Sequence, residues 1–318
     1  MLRIRVVSIM TVAVLVLAGA ARAAYPGKNG SIAYEEFASD DNGGGPYFTA
    51  SDGIYVHSMP LTVCDNKSGP LTCLFGAPSY SADGRLITFS RLTPTDALRG
   101  EGGSGVIEIL GADGSDATVL PRQTADDEGP EFLRSGQNIV FDGPTASSHK
   151  RNLYEVSATG TNLRQLTTAG GFRPAPCSNG KILFGRAGSL YVLSADHRRA
   201  VKIIGGQANG WDCSPDSKRI AFARNCKIYI AGINGKHQHA IKNVCTGQLR
   251  FSPNGRRIAY IDSVDQGNGS SDYLRIINLA GRSVAPAMLV ASTSFSGDSG
   301  VTYLGSTAGF GWQPLTSH

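Results

Sequence analysis

The sequence is poor in several things, and each shortage removes a class of function. Charged residues are 17% and aromatic residues 8% of the 318 positions, with only two tryptophans, Trp211 and Trp312. Both fall in short strand motifs where an aromatic packs between sheets, so no sugar-stacking platform is evident beyond Tyr47 and Phe48. None of the six cysteines forms a C-x-x-C pair, which argues against zinc and dithiol-redox motifs. Histidine is sparse, six in all, and a histidine-rich metal centre is poorly supported. His237-Gln238-His239 reads instead as a solvated surface pair. Past residue 23 no apolar run approaches 18 residues, so no membrane span is expected there. Glycine is abundant, forty residues, but has no third-residue period, which excludes collagen.

The first 23 residues stand apart. Arg3 and Arg5 precede an apolar stretch from Val6 to Ala18, and Ala21-Arg22-Ala23 is an A-x-A cleavage site. This is the pattern of a secretory signal peptide over 1–23, too short in its core to span a bilayer. No cysteine lies near the cut to carry a lipid. The mature chain is expected to begin at Ala24 and to be secreted, periplasmic or held in the cell envelope. Losing three arginines lowers the net charge from +5 to +2, so nucleic acid is not an expected partner. All six cysteines lie beyond the cut, and an even number in an exported chain suggests disulfides.

Internal similarity is the strongest signal. The strings PSYSADGRLITFSR (78–91), PEFLRSGQNIVFDG (130–143), PAPCSNGKILFGR (174–186), GWDCSPDSKRIAFAR (210–224) and QLRFSPNGRRIAYID (248–262) are each a strand, a tight turn and a strand. A second hairpin follows each, with third strands such as NLYEV (152–156), SLYVL (189–193) and KIYIA (227–231). Four antiparallel strands therefore recur every 36 to 52 residues. One such sheet cannot bury both faces alone, and radial packing of the sheets gives a β-propeller. The chain opens on GKNGSIAYEEF (27–37), a second strand lacking its first, and closes on GFGWQPL (309–315), a first strand lacking its second. Pairing these ends closes the ring. The count is then six blades, or seven if ASTSFSGDSGVTYLGS (291–306) makes one of its own. The fold class expected is all-β, a single propeller domain over 24–318.

The PxxSPDGxxIAF hairpin followed by xIYVxxADGxxxxxLT resembles the WD-like repeat of the TolB propeller. The opening AYPGKNGSIAY and closing GWQPL look like secreted bacterial members of that group. The repeats start directly behind the signal, without the α/β domain that precedes the TolB propeller. The resemblance is specific for fold, whereas function sits in loops grafted on it.

Placed on the repeat, Cys226 opens a third strand and Cys245 ends the next one, so these two are expected to pair. Cys64 and Cys73 bracket the same kind of turn. Cys177 and Cys213 hold equivalent first-strand positions in neighbouring blades and pair by elimination. The loops between second and third strands are long at 38–53, 92–104, 143–151 and 263–272, and would form one wall for binding. That wall is rich in Gly and Asp, with Asp40 and Asp41 in the first loop, and its candidate calcium ligands are Asp126, Asp127 and Glu128 before a first strand and Asp265 and Asp272 in the last loop. None matches an EF-hand, and no cofactor other than a possible calcium ion is called for. Two residues beyond the aromatic of each second strand stand Glu36, Arg91, Gly143, Arg186, Arg224 and Asp262. The five charged ones are candidate ligand-binding residues at the channel mouth. Gly297-Asp298-Ser299-Gly300 matches a serine-protease string but reads as a turn, since the histidine and aspartate of such a site need another fold. The function expected is a non-catalytic propeller, a monomer that binds an envelope or extracellular protein or peptide. The other reading is a propeller hydrolase or lyase with carboxylates and a divalent cation at the mouth.

Overall fold

The computed structural model describes residues 25–35, 46–49, 56–58, 74–75, 78–92, 105–121, 123–124, 126–146, 148–266, 269–296, 300–304 and 310–315. The signal segment, Glu36, Cys64, Cys73 and the turn 297–299 lie outside the described residues.

Among the described residues every element is a β-strand, and the strands form antiparallel blades in a propeller ring. Sheet I is made by Phe310–Leu315, Lys28–Glu35, Pro46–Thr49 and Val56–Ser58. Sheet II holds Leu74–Phe75 and Ser79–Tyr80, both paired with Leu86–Leu92, then Gly105–Gly111 and Thr118–Val119. Sheet III runs Glu128–Phe132, Asn138–Thr145, Ser148–Ser157, Arg164–Gln165, and sheet IV Phe172–Pro176, Ile182–Arg186, Ser189–Leu193, Ala200–Ile204. Sheet V runs Trp211–Cys213, Arg219–Arg224, Lys227–Gly232, His239–Asn243. Sheet VI runs Leu249–Phe251, Arg257–Asp265, Gly269–Asn278, Met288–Ser296, Gly300–Leu304.

The repeat builds each sheet from its turns outward. In sheet V, Ser214 Oγ accepts the Arg219 amide at 2.9 Å and Asp216 Oδ1 the Lys218 amide at 3.0 Å, which fixes the first turn and so the register behind it. Second strands then read apolar without alternation. Ile220, Ala221, Phe222 and Ala223 are all buried because neighbouring sheets cover both faces, while His239–Asn243 at the outer edge is exposed or half-buried.

The core is a set of apolar layers between sheets rather than one centre. Ala33 of sheet I packs with Tyr80, Ile87, Phe89 and Leu110 of sheet II. Equivalent layers join II with III, III with IV, IV with V and V with VI. The last returns to the first, where Ala259, Ile261 and Leu274 of sheet VI pack on Ile32, Phe310 and Trp312 of sheet I. The two ends of the chain pair as expected, with Ile32 opposite Trp312 and Ala33 opposite Gly311. The third turns of sheets V and VI also nest on the outer strand of the sheet before. A Cβ on Gly235 (φ +77°) would lie 2.1 Å from the Ile203 carbonyl oxygen, and one on Gly281 (φ +76°) 1.8 Å from that of Ile241. Only glycine fits there.

Three expectations need correction. The 291–306 segment makes no separate blade, because Met288–Ser296 and Gly300–Leu304 extend sheet VI to five strands. The spans 143–151 and 263–272 are not long loops. Pro144 pairs with Arg151 and Asp265 with Ser270, so both are prolonged hairpin arms. The cysteine pairs inside the described region form as expected. Cys177–Cys213 ties sheet IV to sheet V with both residues buried, and Cys226–Cys245 closes the last hairpin of sheet V.

Candidate functional site

The first strand of each sheet faces the axis, and these strands approach one another in turn around the ring. Register places Ser79, Glu131, Ala175, Asp212, Arg250 and Gly311 at one height, opposite Thr88, Val140, Leu183, Ala221, Ala259 and Ala33. Glu131 and Arg250 are three sheets apart, so they face each other across the axis, and their side chains meet as an ion pair. The positions between them on two sides are small. A Cβ on Gly311 would fall 2.5 Å from the Pro78 carbonyl oxygen.

Every member of this brace is held by others. Ser79 Oγ donates to Glu131 Oε2 at 2.5 Å, and Arg250 Nε donates to the Phe310 carbonyl at 3.3 Å. Asp212 Oδ2 accepts the Phe251 amide at 2.7 Å, and its other oxygen stands 3.8 Å from Arg250 Nη1. Burial pushes the Asp212 carboxyl up to about 6, while Arg250 and the Phe251 amide pull it down. On the side of the first turns, the Tyr25 hydroxyl donates to the Phe132 carbonyl at 2.7 Å. Burial and the Glu131 charge raise that phenol well above its ordinary range. Brace and tyrosine leave cavities of about 90 and 60 Å³ on either side of the ion pair, room for waters but not for a drug-sized molecule.

The opposite side, where second turns and incoming loops emerge, is open. Arg173 holds a left-handed backbone (φ 51°) that a non-glycine residue seldom adopts. Its amide donates to Asp142 Oδ1 at 2.9 Å and its carbonyl accepts Trp211 Nε1 at 3.0 Å, which fixes the strand. Its guanidinium then reaches over the channel mouth to the carbonyls of Asn209 (3.1 Å) and Gly247 (3.4 Å). Beside it a groove of about 420 Å³ runs between sheets V and VI, lined by Arg173, Arg224, the Cys226–Cys245 bridge, Gly247, Ser263 and Asp272 among others.

The structure separates the residues expected at the mouth. Arg224 lines the groove, stacks over Phe222 and Tyr229 (5.5 and 5.2 Å) and donates to the Gly205 carbonyl at 3.1 Å. Arg186 makes the equivalent arrangement one sheet earlier, over Phe184 and Tyr191, donating to the Gly170 carbonyl at 2.8 Å. Asp262 pairs with Arg275 Nε at 2.6 Å. Arg91 sits in the sheet II ladder opposite Val106. Of the candidate calcium ligands, Asp126 accepts the Gly105 amide (2.8 Å) and pairs with Arg151 (2.5 Å). Asp127 is buried and caps its own loop through the Gln123 and Thr124 amides. Glu128 lies 3.3 Å from Arg151, and burial lifts it to about 7 against the pull of that arginine. Asp272 accepts the Ser263 hydroxyl at 2.5 Å, and Asp265 is exposed two ladder steps away. Among the described residues no three His, Cys, Asp or Glu side chains are placed to hold a metal ion.

Sequence reasoning missed Ser79, Glu131, Asp212, Arg250, Tyr25 and Arg173. Aligning first strands, as was done for the exits of second strands, brings the axial set out directly.

This ring of radial sheets defines a β-propeller. A TolB structure from Acinetobacter baumannii is 17% identical, with a TM-score of 0.66 over 92% of this chain and 69% of that one. A protein described as TolB from Agrobacterium tumefaciens is 14% identical, with a TM-score of 0.57 over 89% and 94%. The hydrazine synthase of Kuenenia stuttgartiensis is 12% identical, with a TM-score of 0.60 over 92% of this chain and 48% of that one. No protein-family model matches the sequence, and no curated protein does. The fold is therefore a TolB-like propeller, and because an enzyme shares it, function must be argued from the site.

Proposed function

We propose that the chain is an exported, single-domain propeller of six blades that binds a protein or peptide partner on its open side without catalysing a reaction. Six sheets and six interlayer clusters that return to the start support the blade count. The signal pattern and two disulfides support export. The observation that carries the binding reading is the groove between sheets V and VI. It is the size of a ligand pocket, opens where second turns emerge, and is lined by two cations, Arg173 and Arg224, together with Asp272. Of the charged set at the second-strand exits, Arg224 is the one this reading assigns to partner contact.

Gly247 gives a clean test. It lines both groove and mouth, and a Cβ there would meet nothing within 4 Å. Gly247→Trp should leave the melting temperature unchanged and weaken partner binding, measured by titration calorimetry with a partner cross-linked in the envelope, by about tenfold or more. Full-strength binding by Gly247→Trp would remove the groove from consideration.

A further inference from the structure

The chain is nearly neutral, yet its charge is sorted. Residues 161–260 hold sixteen Lys and Arg against three acids, while the rest of the chain from Ala24 onward holds eleven against twenty-two. The cationic stretch builds sheets IV and V and the first hairpin of VI, which are consecutive in the ring. The part of the disc built from this stretch is thus positive.

Within the positive side the charge gathers on one face. First and third turns of an antiparallel sheet leave at one edge and the second turn at the other. In sheets IV, V and VI, all six first and third turns carry a cation: Lys181, Arg198, Lys218, Lys236, Arg256 and Arg282. Five are exposed and Lys181 is half-buried, and among the described residues none makes an ion pair. Packing sets these turns side by side. Ser178 Oγ of sheet IV donates to the Pro215 carbonyl of sheet V at 2.8 Å, and Pro215 in turn lies against Gly255 of sheet VI.

The chemistry of the turns shows that the charge is not a by-product of folding. Each turn is closed by a side-chain oxygen that accepts the amide two residues on: Asn179, Asp196, Asp216, Asn234, Asn254 and Asn278, at 3.0–3.2 Å. Asp and Asn close such a turn equally well. Sheet II uses Asp83 and Asp113 in both of its turns. On the positive side four of six are the neutral amide. The two aspartates there, Asp196 and Asp216, are bonded to their own serines just as Asp83 and Asp113 are.

We infer that the first-and-third-turn face of sheets IV to VI docks on an anionic phospholipid bilayer. The cations ride on the tips of turns across three blades of a disc, an arrangement that meets a broad planar anion and needs no cleft. Val201 and Val284, 40% and 39% exposed, stand beside Lys202 and Arg282 and add apolar contact at headgroup depth. No Phe, Tyr or Trp lies among these turns to stack on a base. Docked this way, the groove on the opposite face points away from the membrane, so this inference stands apart from the partner reading.

The test is co-sedimentation of the exported protein with phosphatidylcholine vesicles, with and without phosphatidylglycerol, at low and high salt. Binding should need phosphatidylglycerol and disappear at high salt. Lys218→Glu with Lys236→Glu and Arg256→Glu should lower the bound fraction at least about tenfold. Lys227→Glu, exposed on the same sheet at the other edge, should bind as wild type, with melts confirming that both variants fold. Equal binding to neutral vesicles, or equal loss in Lys227→Glu, would overturn the inference. So would binding to soluble polyphosphate but not vesicles, which would mean a polymer ligand. Self-association lost in the triple variant, without vesicle binding, would assign the face to the acidic side of a second copy.

Discussion

Asp212 is a carboxylate taken out of water, so its protonation is linked to the stability of the fold. Burial raises it from 3.8 to about 6 in the folded chain. A carboxyl whose folded value lies above its unfolded value stabilises fully below pH 4, where both states hold the proton. That contribution is lost as the pH climbs through 6, because the unfolded chain gives up the proton first. Asp212→Asn has no such dependence. Its stability relative to wild type should therefore rise by about 2 kcal/mol between pH 4 and pH 7 in urea titrations. A difference that stays flat with pH would mean that Arg250 and the Phe251 amide hold the charge as well as water does. The ring to which Asp212 belongs was legible in the sequence, since Ser79, Glu131, Asp212 and Arg250 each sit just before the last residue of a first strand. Which charges meet was not legible. That depends on Glu131 and Arg250 standing three sheets apart in a closed ring, which no local spacing encodes.

Strands and turns followed the sequence where chemistry is local, and departed from it where pairing decides. The first turns were readable because Ser, Asp, Asn and Gly have fixed tasks in them. The spans 143–151 and 263–272 read as loops because they are rich in Gly, Ser and Asp, yet they pair into solvent as hairpin arms. A polar strand without a buried face carries no periodic signal. The disulfides tested the repeat at this same scale, and Cys177 joins Cys213, the pair left by elimination at equivalent first-strand positions. That bond closes 36 residues and lies buried between two sheets, whereas Cys226–Cys245 closes 19 and is exposed. Loop entropy alone assigns about 4 and about 3 kcal/mol to them. Replacing Cys177 and Cys213 with alanine also leaves a gap in the layer holding Ala175, Ile204 and Trp211, so this pair should cost more. Denaturant melts of the two double variants check the order, and a larger loss for Cys226 and Cys245 would show that the hairpin, not the blade interface, limits stability.

At the scale of the whole molecule, everything depends on one strand arriving last. Phe310–Leu315 supplies the axial strand of sheet I, buries Phe310 and Trp312 against Ile32, Ala259 and Ile261, and gives Arg250 a carbonyl. Gln313 clasps the join from both sides, accepting the Ser31 amide at 3.1 Å and donating to the Gly84 carbonyl at 2.9 Å. Contacts between segments so far apart in sequence form slowly, so closure should be the late step of refolding. A ring with that strand missing exposes the apolar layers of both sheet VI and sheet I, and no other described element covers them. A chain ending at Gly309 should therefore lose its cooperative melt, and a peptide of residues 309–318 added in trans should restore it. The same peptide with Trp312→Ala should bind about 3–5 kcal/mol more weakly, the usual cost of emptying a buried aromatic site. A truncated chain that still melts cooperatively without the peptide would mean that the blades stand as an open arc, and that closure shapes the channel rather than holding the fold.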